Sequence, residues 1–195
     1  MSSLTSQETK QITEEAYLFA YSMLENYKTM YVQAINENNP AYREGKYLTF
    51  TLADEEYGIG ILKIKEIIGM MPITTVPQTP EFVKGVVNLR GKVIPVLDLR
   101  MKFGLQSIDF TERTCIVVVE ISVGESVVQI GIVVDSVSEV LNIQGNDIQD
   151  TPAFGKDVST EYILGMAKLE GGVKILIDID RVISDRDMQH LQKVA

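Results

Sequence analysis

The sequence predicts an all-β core made of two small barrels side by side, and three observations predict it. The stretch from residue 47 to residue 183 is written twice, its apolar runs are short and rich in Val and Ile, and Gly and Pro punctuate them. Gly58-Ile59, Ile61, Ile64 and Glu66-Ile67-Ile68 return as Gly131-Ile132, Val134, Val137 and Glu139-Val140-Leu141, at a constant offset of 73 (58 to 131, 66 to 139). Thr79-Pro80-Glu81-Phe82 returns as Thr151-Pro152-Ala153-Phe154. Gly85 to Gly91 then matches Gly165 to Gly171 at an offset of 80 (85 to 165), which Val96-Leu97-Asp98-Leu99 keeps against Leu176-Ile177-Asp178-Ile179. The change of offset places a loop insertion near Gly155 to Tyr162. Each copy by itself reads as a small barrel, with a groove where the two meet.

Residues 1–45 read as a helical N-terminal extension. Thr5 and Glu8 have capping-box spacing, and Tyr17, Tyr21, Leu24 and Tyr31 recur at helical steps until Asn36-Glu37-Asn38-Asn39-Pro40. The stripe can pack on the following domain or on another helix, or it can dock a partner. The first copy, about 47–105, opens with the alternating strand Tyr47 to Leu52 and turns at Ala53-Asp54-Glu55-Glu56.

Val86-Val87 and Val93 to Leu99 are two further strands, joined by Asn88-Leu89-Arg90-Gly91. Gly91 tolerates positive φ and Asn88 tolerates turn conformations, so the tetrapeptide predicts a tight hairpin. Pro95 lacks an N–H and predicts an edge strand or a neighbouring bulge. What results is an Arg held on a stiff turn, which has the character of a recognition point. The second copy, about 114–183, opens with a strand from Cys115 to Ile121 and turns near Gly124-Glu125-Ser126. Ser184 and Asp187 give a capping signal for a short C-terminal helix through Leu191.

The repeat separates structure from function. Gly58 and Gly131, Leu89 and Leu169, Gly91 and Gly171, and Asp98 and Asp178 agree in both copies, so the shared fold accounts for them. Arg90 matches Glu170, a reversal of charge on the same turn. Either the two are unrelated solvated side chains, or the first copy carries a recognition charge that the second lacks.

Composition removes most other functions. A formal net charge of −9 opposes binding to a phosphate backbone, so no nucleic-acid partner is expected. One Cys, in the strand Cys115 to Val119, and one His, His190, leave neither an internal disulfide nor a zinc site, and Cys115 reads as a small core residue. No apolar run has the roughly 18 residues a membrane span needs, and no secretory signal is expected. Gly58-Ile59-Gly60 lacks the third Gly and the Lys-Thr or Lys-Ser of a nucleotide loop, and paired acids such as Asp135 with Glu139 have no His nearby.

Glu56-Tyr57-Gly58-Ile59, Ile61 to Ile67, Thr79 to Gly91, Ile94 to Phe103, Gly131 to Asp135 and Ser159 to Ile163 together resemble the CheW chemotaxis coupling proteins, over residues 46–192. The main departure is the long extension 1–45. The resemblance implies two five-stranded SH3-like barrels forming one domain, with no enzyme activity and no cofactor. It implies a cytoplasmic adaptor, recruited to membrane-associated receptor arrays without inserting into the membrane. Such an adaptor bridges the regulatory domain of the CheA histidine kinase and the cytoplasmic tip of methyl-accepting chemoreceptors. Carried over residue by residue, receptor binding falls to Arg90, Glu66, Ile64 and Asn88, and kinase binding to Val83, Gly85 and Val86. A helix-in-groove contact suits such a receptor tip, and the five donors of Arg90 suit carboxylates or helix-terminal carbonyls. The alternative reading is an SH3-like scaffold whose partner choice is set by the N-terminal helix. Proline-rich ligands fit poorly, since the chain has no Trp.

Overall fold

The computed structural model of the chain describes residues 43–123, 126–152 and 160–183, together with Asp187. The expected N-terminal helix lies outside the described residues, as does the expected C-terminal one apart from Asp187. The first strand begins at Gly45, two residues ahead of Tyr47, so the end of the expected extension is already sheet.

The described residues form two sheets with short helical turns. The strands are β1 (Gly45–Leu52), β2 (Glu55–Gly60), β3 (Ile64–Gly69), β4 (Val83–Leu89) and β5 (Lys92–Asp98) from the first copy. The second copy supplies β6 (Cys115–Val123), β7 (Ser126–Val134), β8 (Ser136–Ile143), β9 (Ile148–Gln149), β10 (Ile163–Leu169) and β11 (Gly172–Ile177). One sheet has six strands in the order β8-β1-β2-β11-β10-β9, the other five in the order β3-β6-β7-β5-β4.

Neither barrel is therefore made from one copy. The β1–β2 hairpin leaves its own copy and pairs with β8 and β11, while β6–β7 pairs with β3 and β5. This corrects the reading of each copy as a barrel by itself. The exchange is symmetric: Gly58 lies opposite Leu176 in the parallel pair β2·β11, and the repeat-equivalent Gly131 lies opposite Val96 in β5·β7. The glycines agree in both copies for a steric reason. A Cβ at Gly58 would lie 2.9 Å from Leu176 Cδ2, and one at Gly131 would lie 2.7 Å from Ile116 Cγ2.

Period-two alternation sends side chains to different cores. Val87, Ile94, Val96, Ile116, Val118 and Val133 fill the barrel of the five-stranded sheet, and Tyr47, Ile143, Ile148, Ala167 and Leu176 fill the other. A larger cluster lies between them, with Phe50, Ile59 and Ile177 from one sheet meeting Leu97, Val117 and Ile132 from the other. A ladder of stacked rings, Phe50, Tyr57, Phe103 and Tyr162, joins this cluster, with centroids 5.9, 5.5 and 5.1 Å apart. Asp98 and Asp178, alike in both copies, cap the helical turns Leu99–Lys102 and Ile179–Val182 by accepting from Met101 N and Asp180 N.

Pro95 is not on an edge strand, because β5 lies between β7 and β4, but the expected neighbouring bulge is there: the β4·β5 register shifts between Val83 and Gly85, next to the Val86 that faces Pro95. The missing N–H is tolerated locally: pairing with β7 begins only at Val96, and the opposite residue Val86 exchanges its backbone hydrogen bonds with Thr74 instead. Cys115 opens β6 half-buried at the margin of the central cluster, where burial pushes its thiol up.

Candidate partner-binding site

The hairpin β4–β5 turns on only two residues, Arg90 and Gly91, rather than on the whole expected tetrapeptide. Both have positive φ, +53° and +85°, which is the type I′ geometry that suits the twist of flanking strands. Asn88 Oδ1 accepts a hydrogen bond from Gly91 N at 2.9 Å and braces the turn.

From this turn the Arg90 guanidinium reaches back to β3, where its Nη2 donates to Glu66 Oε2 at 2.8 Å. Arg90 keeps 80% of its side chain exposed and Glu66 keeps 26%. Ile64, two residues earlier on β3, is half-buried against the central cluster, and Asn88 is exposed. Arg90, Glu66 and Asn88 thus gather around one hairpin tip, with Ile64 nearby on the strand that carries Glu66. Lys65, which falls between Ile64 and Glu66 at the register shift of β3 against β6, is held by Glu120 at 2.8 Å. That ammonium, helped by Gln129, keeps the Glu120 carboxyl below its ordinary range.

The second copy has no such pair. Glu139 and Glu170 stand at the positions of Glu66 and Arg90, both exposed, and among the described residues neither makes a side-chain ion pair. The reversal of charge is thus the difference between a joined tip and an open one.

The expected kinase-binding residues sit differently. Val83 is only 7% exposed and belongs to the central cluster. Gly85 is buried at φ +138°, and a Cβ there would lie 2.1 Å from the Thr74 carbonyl oxygen. Val86 is half-buried on β4, which ends the five-stranded sheet. The repeat carried the signal for Gly85, because Gly165 matches it and is also confined: a Cβ there would lie 2.8 Å from Ile148 Cγ2.

Among the charged pairs that sequence reasoning missed, one lies in a barrel interior. Lys174 is 6% exposed inside the six-stranded barrel, where its Nζ pairs with Glu56 Oε2. The equivalent position in the first copy is the buried Ile94, so the Lys is legible only as a mismatch in the repeat. Among the described residues no group of three or more His, Cys, Asp or Glu is placed to hold a metal ion, and no helix is long and apolar enough to cross a membrane.

Comparison with known proteins agrees with this architecture. A family model described as the CheW-like domain matches residues 46–187. The chemotaxis protein CheW of Klebsiella aerogenes is 43% identical over 150 residues, covering 77% of this chain and 88% of that protein. The chemotaxis protein CheW of Rhizobium meliloti is 32% identical over 142 residues, covering 73% and 89%. The crystal structure of the scaffolding protein TtCheW from Thermoanaerobacter tengcongensis superposes with a TM-score of 0.64 at 35% identity, covering 74% of this chain and 95% of that one.

Proposed function

The chain belongs to the CheW family, a family of non-catalytic coupling scaffolds, and from that premise we propose that it joins chemoreceptors to a histidine kinase in chemotaxis. The cytoplasmic tip of a methyl-accepting chemoreceptor docks on the first-copy hairpin tip, with Arg90 and Glu66 as polar anchors and Ile64 as the apolar contact. The regulatory domain of CheA docks along β4, where Val86 offers side-chain surface and Val83 and Gly85 shape the strand from beneath. The adaptor works at membrane-associated receptor arrays without entering the bilayer.

The observation that carries the receptor half is the Arg90–Glu66 pair at 2.8 Å. An exposed guanidinium held by one carboxylate presents its remaining donors in a fixed fork, suited to an acceptor on a helical partner. Exposed ion pairs add little to folding, so stability gives little reason to keep this one.

Calorimetric titration of the full chain with a receptor cytoplasmic-tip fragment and with a CheA regulatory domain tests the reading. Binding to both is expected, with Arg90→Ala weakening the receptor fragment alone. A chain that binds neither overturns the proposal.

A further inference from the structure

Arg90 is an unusual residue for its position. A type I′ turn needs positive φ at both central residues, and Asn or Gly is the ordinary first member. Arg90 has no such licence and still sits at φ +53°. For a residue with a Cβ the left-handed region is sparsely populated, so neighbouring interactions must hold it there.

The second copy supplies an internal control. Its hairpin β10–β11 also turns on two residues, Glu170 and Gly171, with the same pairing on either side. There Lys168 stands at the position of Asn88. An ammonium has donors and no acceptor, so it cannot take the N–H that Asn88 takes in the first copy. In that turn Glu170 stays outside the positive-φ region, and the left-handed geometry falls on Gly171 (φ +100°) and Gly172 (φ +133°). The hairpin with the side-chain acceptor, followed by Lys92, has its first turn residue left-handed; the hairpin without it is followed by Gly172 and moves the positive φ onto its two glycines.

We infer that Asn88 is a positioning residue: by accepting from Gly91 N it holds Arg90 left-handed and so sets the guanidinium against Glu66. Its side chain need not touch a partner to matter. The geometry is consistent with this division of labour, since Asn88 Oδ1 is engaged with Gly91 at 2.9 Å while the Arg90 fork faces Glu66. The part of this inference that concerns a partner rests on the receptor reading above. The part that concerns the turn stands without it.

The test uses the isotopically labelled full chain as wild type, Asn88→Ala, Asn88→Asp and Arg90→Ala. Asp keeps the acceptor oxygen, so the backbone Cα shifts and the HN–Hα coupling of Arg90 should stay left-handed in Asn88→Asp and move away in Asn88→Ala. With a receptor-tip fragment as the probe, Asn88→Ala should lose about tenfold in affinity, and Asn88→Asp should stay within about twofold of wild type. The Asn88→Ala loss should disappear in an Arg90→Ala background, because Asn88 acts through Arg90. Unchanged Arg90 backbone signals in Asn88→Ala overturn the inference whatever the affinity does. An undiminished loss in the double variant overturns it too, since Asn88 would then touch the partner itself. If Arg90→Ala binds the fragment normally, the receptor reading fails, and the backbone signals still decide the role of Asn88.

Discussion

Arg90 on the β4–β5 turn and Glu66 on β3 are joined at 2.8 Å across 24 residues of sequence, with four-fifths of the arginine side chain in solvent. Exposure of that order makes the pair worth only about 0–1 kcal/mol to folding. The left-handed backbone at Arg90 costs about 1–2 kcal/mol, and glycine would give back roughly 0.5–1 of that through its freer unfolded chain. With the pair also lost, Arg90→Gly is therefore expected to change stability by no more than about 1 kcal/mol in either direction. Arg90→Ala should shift it by no more than about 0.5 kcal/mol. Either substitution should cost about 1–3 kcal/mol in receptor-fragment binding, as an interface anchor does. Urea unfolding beside calorimetric titration measures both quantities.

Gly85 is confined by packing inside the domain. Its Cβ position lies 2.1 Å from the Thr74 carbonyl oxygen, which is also the acceptor for Val86 N. Gly85→Ala should destabilise the domain by roughly 2 kcal/mol or more, because a backbone bridge has to open. Any loss of kinase binding in that variant should track the loss of fold. A variant with wild-type stability and abolished kinase binding would contradict this.

Glu56 and Lys174 hold a charge inside the six-stranded barrel. Glu56 is 34% exposed, so removing it leaves Lys174 only partly stranded, and Glu56→Gln should cost about 1–3 kcal/mol. The five-stranded barrel shows what the fold tolerates without the pair: Ile94 from the first copy and Gln129 from the second occupy the equivalent positions. Glu56→Gln together with Lys174→Ile should recover most of the loss, to within about 1 kcal/mol of wild type. Thermal or chemical unfolding of the single and double variants reads the difference.

Asp178 caps the helical turn Ile179–Val182, but burial raises its carboxyl above the ordinary value, and nearby Asp180 adds to the shift. The folded state thus holds its proton to higher pH than the unfolded state does. Between the ordinary Asp value of about 3.9 and the raised folded value, this group's contribution to stability falls as pH rises. Below that window the contribution is fully present. Asp178→Asn keeps an acceptor for the cap, so it should flatten this part of the pH profile without loss of stability at neutral pH. A profile that is unchanged in Asp178→Asn would exclude the group.

The sequence by itself determined what depends on near neighbours. Alternation of Val and Ile with polar residues marks strands, Gly91 marks a turn, and a repeated Gly85 or Asp98 marks a backbone need, all within a few residues of chain. The repeat and the motifs along it were enough for the family and for an all-β pair of barrels. Tertiary structure decided everything that requires knowing which strand lies beside which. Period two says that a residue faces one side, but not which sheet receives it, so the exchange of β1–β2 and β6–β7 between copies is invisible in the chain. For the same reason Pro95 turned out to lie within a sheet, Val83 in the core, and Lys174 beside Glu56. Arg90 and Glu66 were legible as two separate charges. Only the closing of the barrel, which carries the hairpin tip back over β3, made them a pair.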